Sequence, residues 1–359
     1  MINNEIYNIF FSFVTAFAIT FLAIPVIIKV AKEKHLFDFP DERKVHTSKI
    51  PTLGGIGIFL GFLFAMTFWT KFIQCAHLQY LTASLIIISF LGIKDDLIGL
   101  SAFKKAVGQV FAALIVVIWG DLRIESLFNI FGIQELPYII SVIFSTLTII
   151  VIVNAYNLID GIDGLAASLG LVASVSFGIL FFMTGNNYQQ SILAFSLAGG
   201  LLGFLRFNIT PARIFMGDTG SMVLGFLLAF LSIEFIEIKS FEGNSWLVSN
   251  SVPLISMSLV FVPLYDLVRV FSIRLWHKRS PFMPDKNHLH HLLLKLGFSH
   301  LFATSIMSVF SCLLIMLALI FQKFGNYWIG LVLLLTCILF TYILYVLNKK
   351  QAAKPISEK

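Results

Sequence analysis

The sequence predicts an all-α protein that crosses a membrane many times. Three observations carry that reading. Of 359 residues, 58% are hydrophobic and only 12% charged; the mean hydropathy is +0.91; and apolar runs of helix-spanning length recur along the chain. An ordinary soluble domain is roughly half apolar and a quarter charged, whereas a bilayer core demands ~20 apolar residues per helix. Runs bounded by Gly, Pro or charge place about eleven transmembrane helices at roughly 5–28, 53–71, 78–93, 104–120, 137–154, 165–184, 189–206, 219–238, 251–273, 301–322 and 326–347. No stretch is polar enough for a separate soluble unit. Residues 1–348 therefore read as one membrane-embedded domain with a long loop at about 274–300, and 349–359 as a basic tail.

The first run follows Met-Ile-Asn-Asn-Glu, without the positive region of a cleaved leader, so it is expected to stay as a helix with the N-terminus outside. With that orientation and an odd number of spans, 21 of the 25 Lys and Arg fall on the cytoplasmic side. The exceptions are Lys71, Arg123, Lys239 and Lys323, and the bias puts the C-terminus inside. Most Asp and His fall on the same side, so chemistry is expected there. The net charge of +6 flanks the spans and forms no stripe with interleaved aromatics, which argues against nucleic acid and for anionic headgroups and phosphorylated substrates. Three cysteines, Cys75, Cys312 and Cys337, lie in or beside apolar runs and suggest neither disulfides nor a metal site. Gly54, Gly55, Gly57 and Gly61, like Gly199 and Gly203, suit close helix contacts.

Polar clusters interrupt this pattern at the inner helix ends. Lys94-Asp95-Asp96 closes the third run; adjacent carboxylates repel, so such a pair binds a cation, titrates high, or is simply solvated. In Asn154-Ala155-Tyr156-Asn157-Leu158-Ile159-Asp160-Gly161-Ile162-Asp163-Gly164 four polar side chains recur at every third residue. That spacing stacks them on a tight turn but drifts around a straight α-helix. Ionisable residues beside apolar spans are costly and favour a polar pocket. From Arg206 to Ser221, Asn208, Phe215 and Asp218-Thr219 precede the next run; Asp218 or Thr219 reads as a helix cap, as a metal ligand, or as both. The long loop holds Arg279 and then Asn287-His288-Leu289-His290-His291, whose spacing suits oxygen-binding imidazoles better than zinc. Lys44 and Lys49, before Pro51-Thr52-Leu53-Gly54-Gly55, read as a positive-inside anchor or as phosphate ligands. Asp95, Asp96, Asp160, Asp163 and Asp218 cannot all ionise in one confined site beside an anionic substrate without a cation. Oxygen donors without cysteine imply Mg²⁺ or Mn²⁺.

The ordered motifs Lys-Asp-Asp at 94–96, Asn-Ala-Tyr-Asn-Leu-Ile-Asp-Gly-Ile-Asp-Gly-Leu at 154–165, Phe-Met-Gly-Asp-Thr-Gly-Ser at 215–221 and His-Leu-His-His at 288–291 closely resemble the polyprenyl-phosphate N-acetylhexosamine-1-phosphate transferases, glycosyltransferase family 4. The resemblance implies transfer of a sugar 1-phosphate from a UDP-N-acetylhexosamine, most naturally UDP-GlcNAc, to undecaprenyl phosphate or a similar carrier, with release of UMP. It also implies Mg²⁺, with Mn²⁺ as a substitute, and a site on the cytoplasmic face of a bacterial inner membrane. By the same resemblance, Asp218 is the principal metal ligand and Asn157 its partner. Asp95 and Asp96 position or activate the lipid phosphate. Asn154, Asp160, Asp163 and Phe215 line the nucleotide site, with Asn208 close by, and His288, His290 and His291 with Arg279 contact diphosphate and sugar. The His-Leu-His-His text fits the branch that starts surface polysaccharides or teichoic acids. The alternative is the peptidoglycan branch, which transfers phospho-N-acetylmuramoyl-pentapeptide and usually carries three consecutive histidines. A homodimer is compatible with the sequence. The rival class is an ion-coupled transporter, which should show paired halves or helices interrupted near mid-membrane.

Overall fold

A computed structural model describes residues 2–36, 50–71, 77–185, 187–238, 247, 249–280 and 287–352. Lys44 and Lys49 lie outside the described residues, as does the end of the tail beyond 352. The described residues are helical almost throughout, and each of the eleven expected runs falls mainly on helix. In order the helices are α1 (Ile2–Glu33), α2 (Gly54–Trp69), α3 (Leu78–Ile98), α4 (Ala102–Leu114), α5 (Tyr138–Ile159), α6 (Leu165–Met183), α7 (Tyr188–Asn208), α8 (Gly217–Ile236), α9 (Val252–Leu259), α10 (Phe261–Trp276), α11 (Leu289–Lys295), α12 (His300–Phe321) and α13 (Asn326–Ala352). Among the described residues eight helices, rather than the eleven expected, are long and apolar enough to cross a membrane, the span starting with α4 being completed by a π-helical turn at Ile115–Trp119. The α9–α10 pair makes a ninth if counted as one span.

Three departures from the sequence reading have local causes. The run at 251–273 is not one helix: it breaks at Val260 and bends by 79°. The residues of the break, Leu259, Val260 and Phe261, are buried and apolar. A two-stranded antiparallel hairpin, β1 (Ser126–Ile130) and β2 (Ile133–Glu135), fills the connection before α5, with positive φ at Phe128, Asn129, Phe131 and Gly132 turning the chain. Finally, α3 continues through Ile98, so Asp95 and Asp96 sit on helix rather than in the loop after it.

The bundle is organised around α8, whose residues from Thr219 to Phe235 are all buried. In α13, by contrast, only Asn326, Ile329, Leu333, Cys337 and Leu344 are buried. Lipid tails are as apolar as Leu, so close backbone approach rather than water exclusion must hold such helices together. Glycine supplies it here: a Cβ at Gly55 would lie 2.1 Å from the Gly220 nitrogen, and one at Gly92 would lie 2.3 Å from the Thr219 Cα. Both contacts press α2 and α3 onto the first turn of α8. The start of α2, the end of α3, the start of α4, the end of α5 and the start of α8 therefore meet at one end of the bundle.

Candidate active site

The geometry centres on the first turn of α8. Gly217 has φ +71°, and a side chain there would strike the Thr52 carbonyl and the Asp96 carboxylate, so glycine is required. The helix receives no side-chain cap from its own N-cap residue, Met216. Asp96 on α3 supplies one instead: Oδ1 accepts the Asp218 N–H at 2.7 Å, and Oδ2 accepts the Thr219 N–H at 3.0 Å and the Thr219 hydroxyl at 2.6 Å. A carboxylate at a helix N-terminus satisfies orphan amides and complements the dipole. Asp218, the next residue after the glycine, is held by the close approach of the Asn157 amide from α5. Asn157 also donates to Ser221 at 2.9 Å.

Lys105 on α4 completes the cluster. Its ammonium pairs closely with Asp95 and lies 3.1 Å from Asp218 Oδ2. Asp95 is buried and takes the Leu100 N–H at 2.6 Å through its other oxygen. One turn above Asn157, Asn154 donates to Gln109 at 2.9 Å, and Gln109 donates in turn to the Met222 sulfur at 3.5 Å, tying α4, α5 and α8 together. Asp160 is the residue that ends α5. Burial, followed by the charges of Asp218, Asp96 and Asp163, pushes its carboxyl up to about 8. The spacing of three is thus only partly a stacked turn: Asn154 and Asn157 lie on α-helix, Asp160 caps it, and Asp163 lies in the turn before α6.

Asp163 braces that turn. Its Oδ2 accepts the Ala212 N–H at 3.3 Å, its carbonyl accepts the Thr304 hydroxyl at 3.0 Å, and Oδ1 lies 3.5 Å from His300 Nδ1. A cavity of about 340 Å³ opens beside it, lined by Gly164, Ser168, Thr210, Thr304 and Ser308 among others. Asn208 is buried and engaged within the same loop, accepting the Gly164 N–H at 2.9 Å and donating to the Ile214 carbonyl at 2.8 Å. Phe215 is half-buried, and its backbone bonds to Pro51 at 2.8 Å and to Gly54 at 3.0 Å.

The imidazoles approach from the other side. A Cβ at Gly161 would lie 2.5 Å from His290 Nε2, so glycine lets the histidine segment sit against the turn that follows Asp160. His290 is buried and, among the described residues, neither ring nitrogen has a hydrogen-bond partner. Burial, with the neighbouring His291, His288 and His300, drops its pKa to about 3, which makes it a neutral ring. His288 and His290 rings are nearly parallel at 5.6 Å, and His290 and His291 are 4.2 Å apart. Arg279 is exposed beyond the end of α10. The structure thus brings together Asp95, Asp96, Asn157, Asp160 and Asp218. It sets Asn154, Asp163, Asn208 and Phe215 around them and holds the His segment against Gly161.

Sequence reasoning counted Lys105 only as an inner-side charge and passed over Gln109, Asp266 and His300. The signal for Asp266 was present: it stands with Arg269, three residues on, inside an apolar run, and an ion pair placed there has a purpose.

A polytopic helical bundle that concentrates carboxylates, the Lys105 ammonium and histidine rings at one end is a membrane enzyme suited to phosphorylated substrates. Comparison with known proteins narrows the class. The glycosyl transferase family 4 profile matches residues 78–236. The chain is 33% identical to a decaprenyl-phosphate N-acetylglucosaminephosphotransferase of Mycobacterium leprae over 305 residues, covering 80% of this chain and 77% of that protein. It is 30% identical to an undecaprenyl-phosphate alpha-N-acetylglucosaminyl 1-phosphate transferase of Escherichia coli O157:H7, covering 91% and 88%. A probable undecaprenyl-phosphate N-acetylglucosaminyl 1-phosphate transferase of Bacillus subtilis is 29% identical, covering 96% and 93%. The chain belongs to glycosyl transferase family 4.

Proposed function

We propose that this protein transfers GlcNAc 1-phosphate from UDP-GlcNAc to a polyprenyl phosphate such as undecaprenyl phosphate, releasing UMP. The product is the lipid-linked diphosphate sugar that begins a cell-surface polymer, and the site faces the cytoplasm across a bacterial inner membrane. The observation that carries this reading is the meeting of Asp218, Asn157, Asp95, Asp96 and Lys105 from four helices. The printed activities of the relatives, over most of the chain, point to the same substrates.

The donor set fits a hard divalent cation. Oxygen ligands predominate; the ammonium of Lys105 already lies between Asp95 and Asp218, which shows how strongly the pair draws positive charge. Among the described residues no three His, Cys, Asp or Glu side chains are gathered as a closed metal cage. Mg²⁺ takes one or two protein groups and completes its shell with phosphates and water. Asp218 would hold it with Asn157 beside it, and Mn²⁺ would serve as a substitute. When bound, the ion would neutralise and align the diphosphate.

The chain's own groups supply the rest. A phosphate monoester is largely deprotonated near neutral pH, so attack on the β-phosphorus needs alignment more than a strong base. An oxygen of the acceptor phosphate forms the new P–O bond as the bond to the UMP phosphate breaks, in line. Lys105 offers its ammonium to the acceptor phosphate, and Asp95 takes any residual proton. Asp96 fixes the turn that carries Asp218. Neutral His290, with His288 and His291, would hydrogen-bond diphosphate or sugar oxygens, Phe215 would stack on uracil and Asp163 would hydrogen-bond it. The broken helix at Val260 does not favour a transporter, because its residues are apolar and buried and carry no ion site.

The test is purified protein with radiolabelled UDP-GlcNAc. Label should enter the lipid, and UMP should appear, only with both polyprenyl phosphate and a divalent ion present. Hydrolysis at a comparable rate without lipid would reject the acceptor, and faster turnover of another UDP-sugar in a panel would reject the donor.

A further inference from the structure

We propose that Asp266 and Arg269 are positioning residues that fix the hydrogen-bonding identity of His288; the inference rests on the transfer reaction above. Asp266 lies on α10 and is 1% exposed. Its Oδ2 sits 2.8 Å from His288 Nδ1, and its Oδ1 accepts the Leu289 N–H at 3.0 Å and an Arg269 Nη2 hydrogen at 2.8 Å. The same Arg269 nitrogen donates to the Asn287 carbonyl. Three consecutive residues, 287, 288 and 289, are thus tied to one Asp–Arg pair one helical turn apart.

The chemistry of the contact decides the tautomer. A buried carboxylate paired with a guanidinium is ionised and can only accept, so the proton of a neutral His288 must be on Nδ1. Nε2 is then the nitrogen left to face a ligand, as an acceptor when the ring is neutral and as a donor when it is protonated. From His288 the contact continues through the nearly parallel His290 ring to Gly161, beside Asp160. The pair on α10 therefore sets where the imidazoles stand relative to the carboxylates. Apolar packing would join α10 to α11 without desolvating two ions; what the ion pair adds is a defined tautomer and ring orientation.

The experiment uses the full-length protein in detergent or nanodiscs, with ¹⁵N-histidine labelling and UMP-release kinetics. In the wild type the His288 resonance, assigned by its loss in His288→Gln, should show the proton on Nδ1; a proton on Nε2 overturns the proposal without any variant of Asp266. Asp266→Asn should allow the Nε2–H tautomer and lower kcat by ~10–100-fold, the range for losing the partner of a working imidazole, with little change in KM for UDP-GlcNAc. Arg269→Lys, which keeps a charge but not the two-way bond, should give a smaller loss of the same kind. In a His288→Gln background, Asp266→Asn should cost almost nothing more. An equal loss in both backgrounds would mean that Asp266 acts on the fold and not through His288. Should the wild type turn over no UDP-GlcNAc with polyprenyl phosphate, the reaction is wrong, while the tautomer measurement still decides the positioning role.

Discussion

Asp96→Asn separates a residue that builds the site from one that touches the substrate. Asp96 accepts three hydrogen bonds from the first turn of α8, one on Oδ1 and two on Oδ2. Asparagine keeps a single oxygen. Turned one way it preserves the two Thr219 bonds and points its NH₂ at the Asp218 N–H; turned the other way it loses both Thr219 bonds. At ~1.5–3 kcal/mol per charge-assisted bond, plus ~0.3–1 kcal/mol for the lost charge at the helix N-terminus, the substitution should cost about 2–4 kcal/mol. That is on the order of 30- to 1000-fold in the population of the arrangement that holds Asp218 in place. The expected result is a transfer rate reduced by at least tenfold together with a thermal unfolding midpoint, followed in detergent, lowered by several degrees. A variant that is inactive but unfolds within a degree of wild type would refute the reasoning, because Asp96 would then act on the acceptor phosphate and not on α8.

Other perturbations test the remaining parts. Asp218→Ala should abolish transfer of labelled sugar phosphate while leaving folded protein in the membrane; wild-type rates would remove it as the metal anchor. Chelation with EDTA should stop UMP release, and added Mg²⁺ or Mn²⁺ should restore it. Gly92→Ala places a methyl against the Thr219 backbone and should cost ~1–3 kcal/mol of stability through overpacking, measured as a lower unfolding midpoint and reduced activity together. Asp160, with its carboxyl raised to about 8, stays protonated in the folded apo protein below that pH, so its favourable effect on stability is complete below the ordinary carboxylate range and is lost as pH rises through 8. In EDTA, Asp160→Asn should therefore raise the unfolding midpoint at pH 9 by more than at pH 6; an equal shift at both would sink the assignment.

Much of the site was legible as a set of residue types and little of it as contacts. The Asp pair, the Asn-Asn-Asp-Asp spacing and the Gly-Asp-Thr-Gly turn stand out because polar groups at the ends of apolar helices are expensive and must be there for a reason. Their separate duties do not stand out. Asp95 and Asp96 are neighbours in sequence, yet one pairs with Lys105 and the other caps α8, because successive residues on a helix point ~100° apart. Nor does the sequence record that Asp163 and Asn208 also bond the loop before α8 and the turn before α6, since those partners are remote in the chain. The break at Val260 is marked in the sequence by Pro263, which has no N–H for the Leu259 carbonyl four residues back, but the apolar run around it hides that mark.

Composition and hydropathy alone determined that this chain is a helical membrane protein, because hydrocarbon leaves a backbone only helices or closed barrels and the runs have helix length. The order of motifs alone suggested the family. Only the tertiary structure decided which carboxylate holds a helix, which meets an ammonium, and that the Asp266–Arg269 pair on α10 is bonded to the histidine segment. Such assignments depend on distances between segments remote in the chain, set by glycine-mediated helix approach, and no local pattern records them.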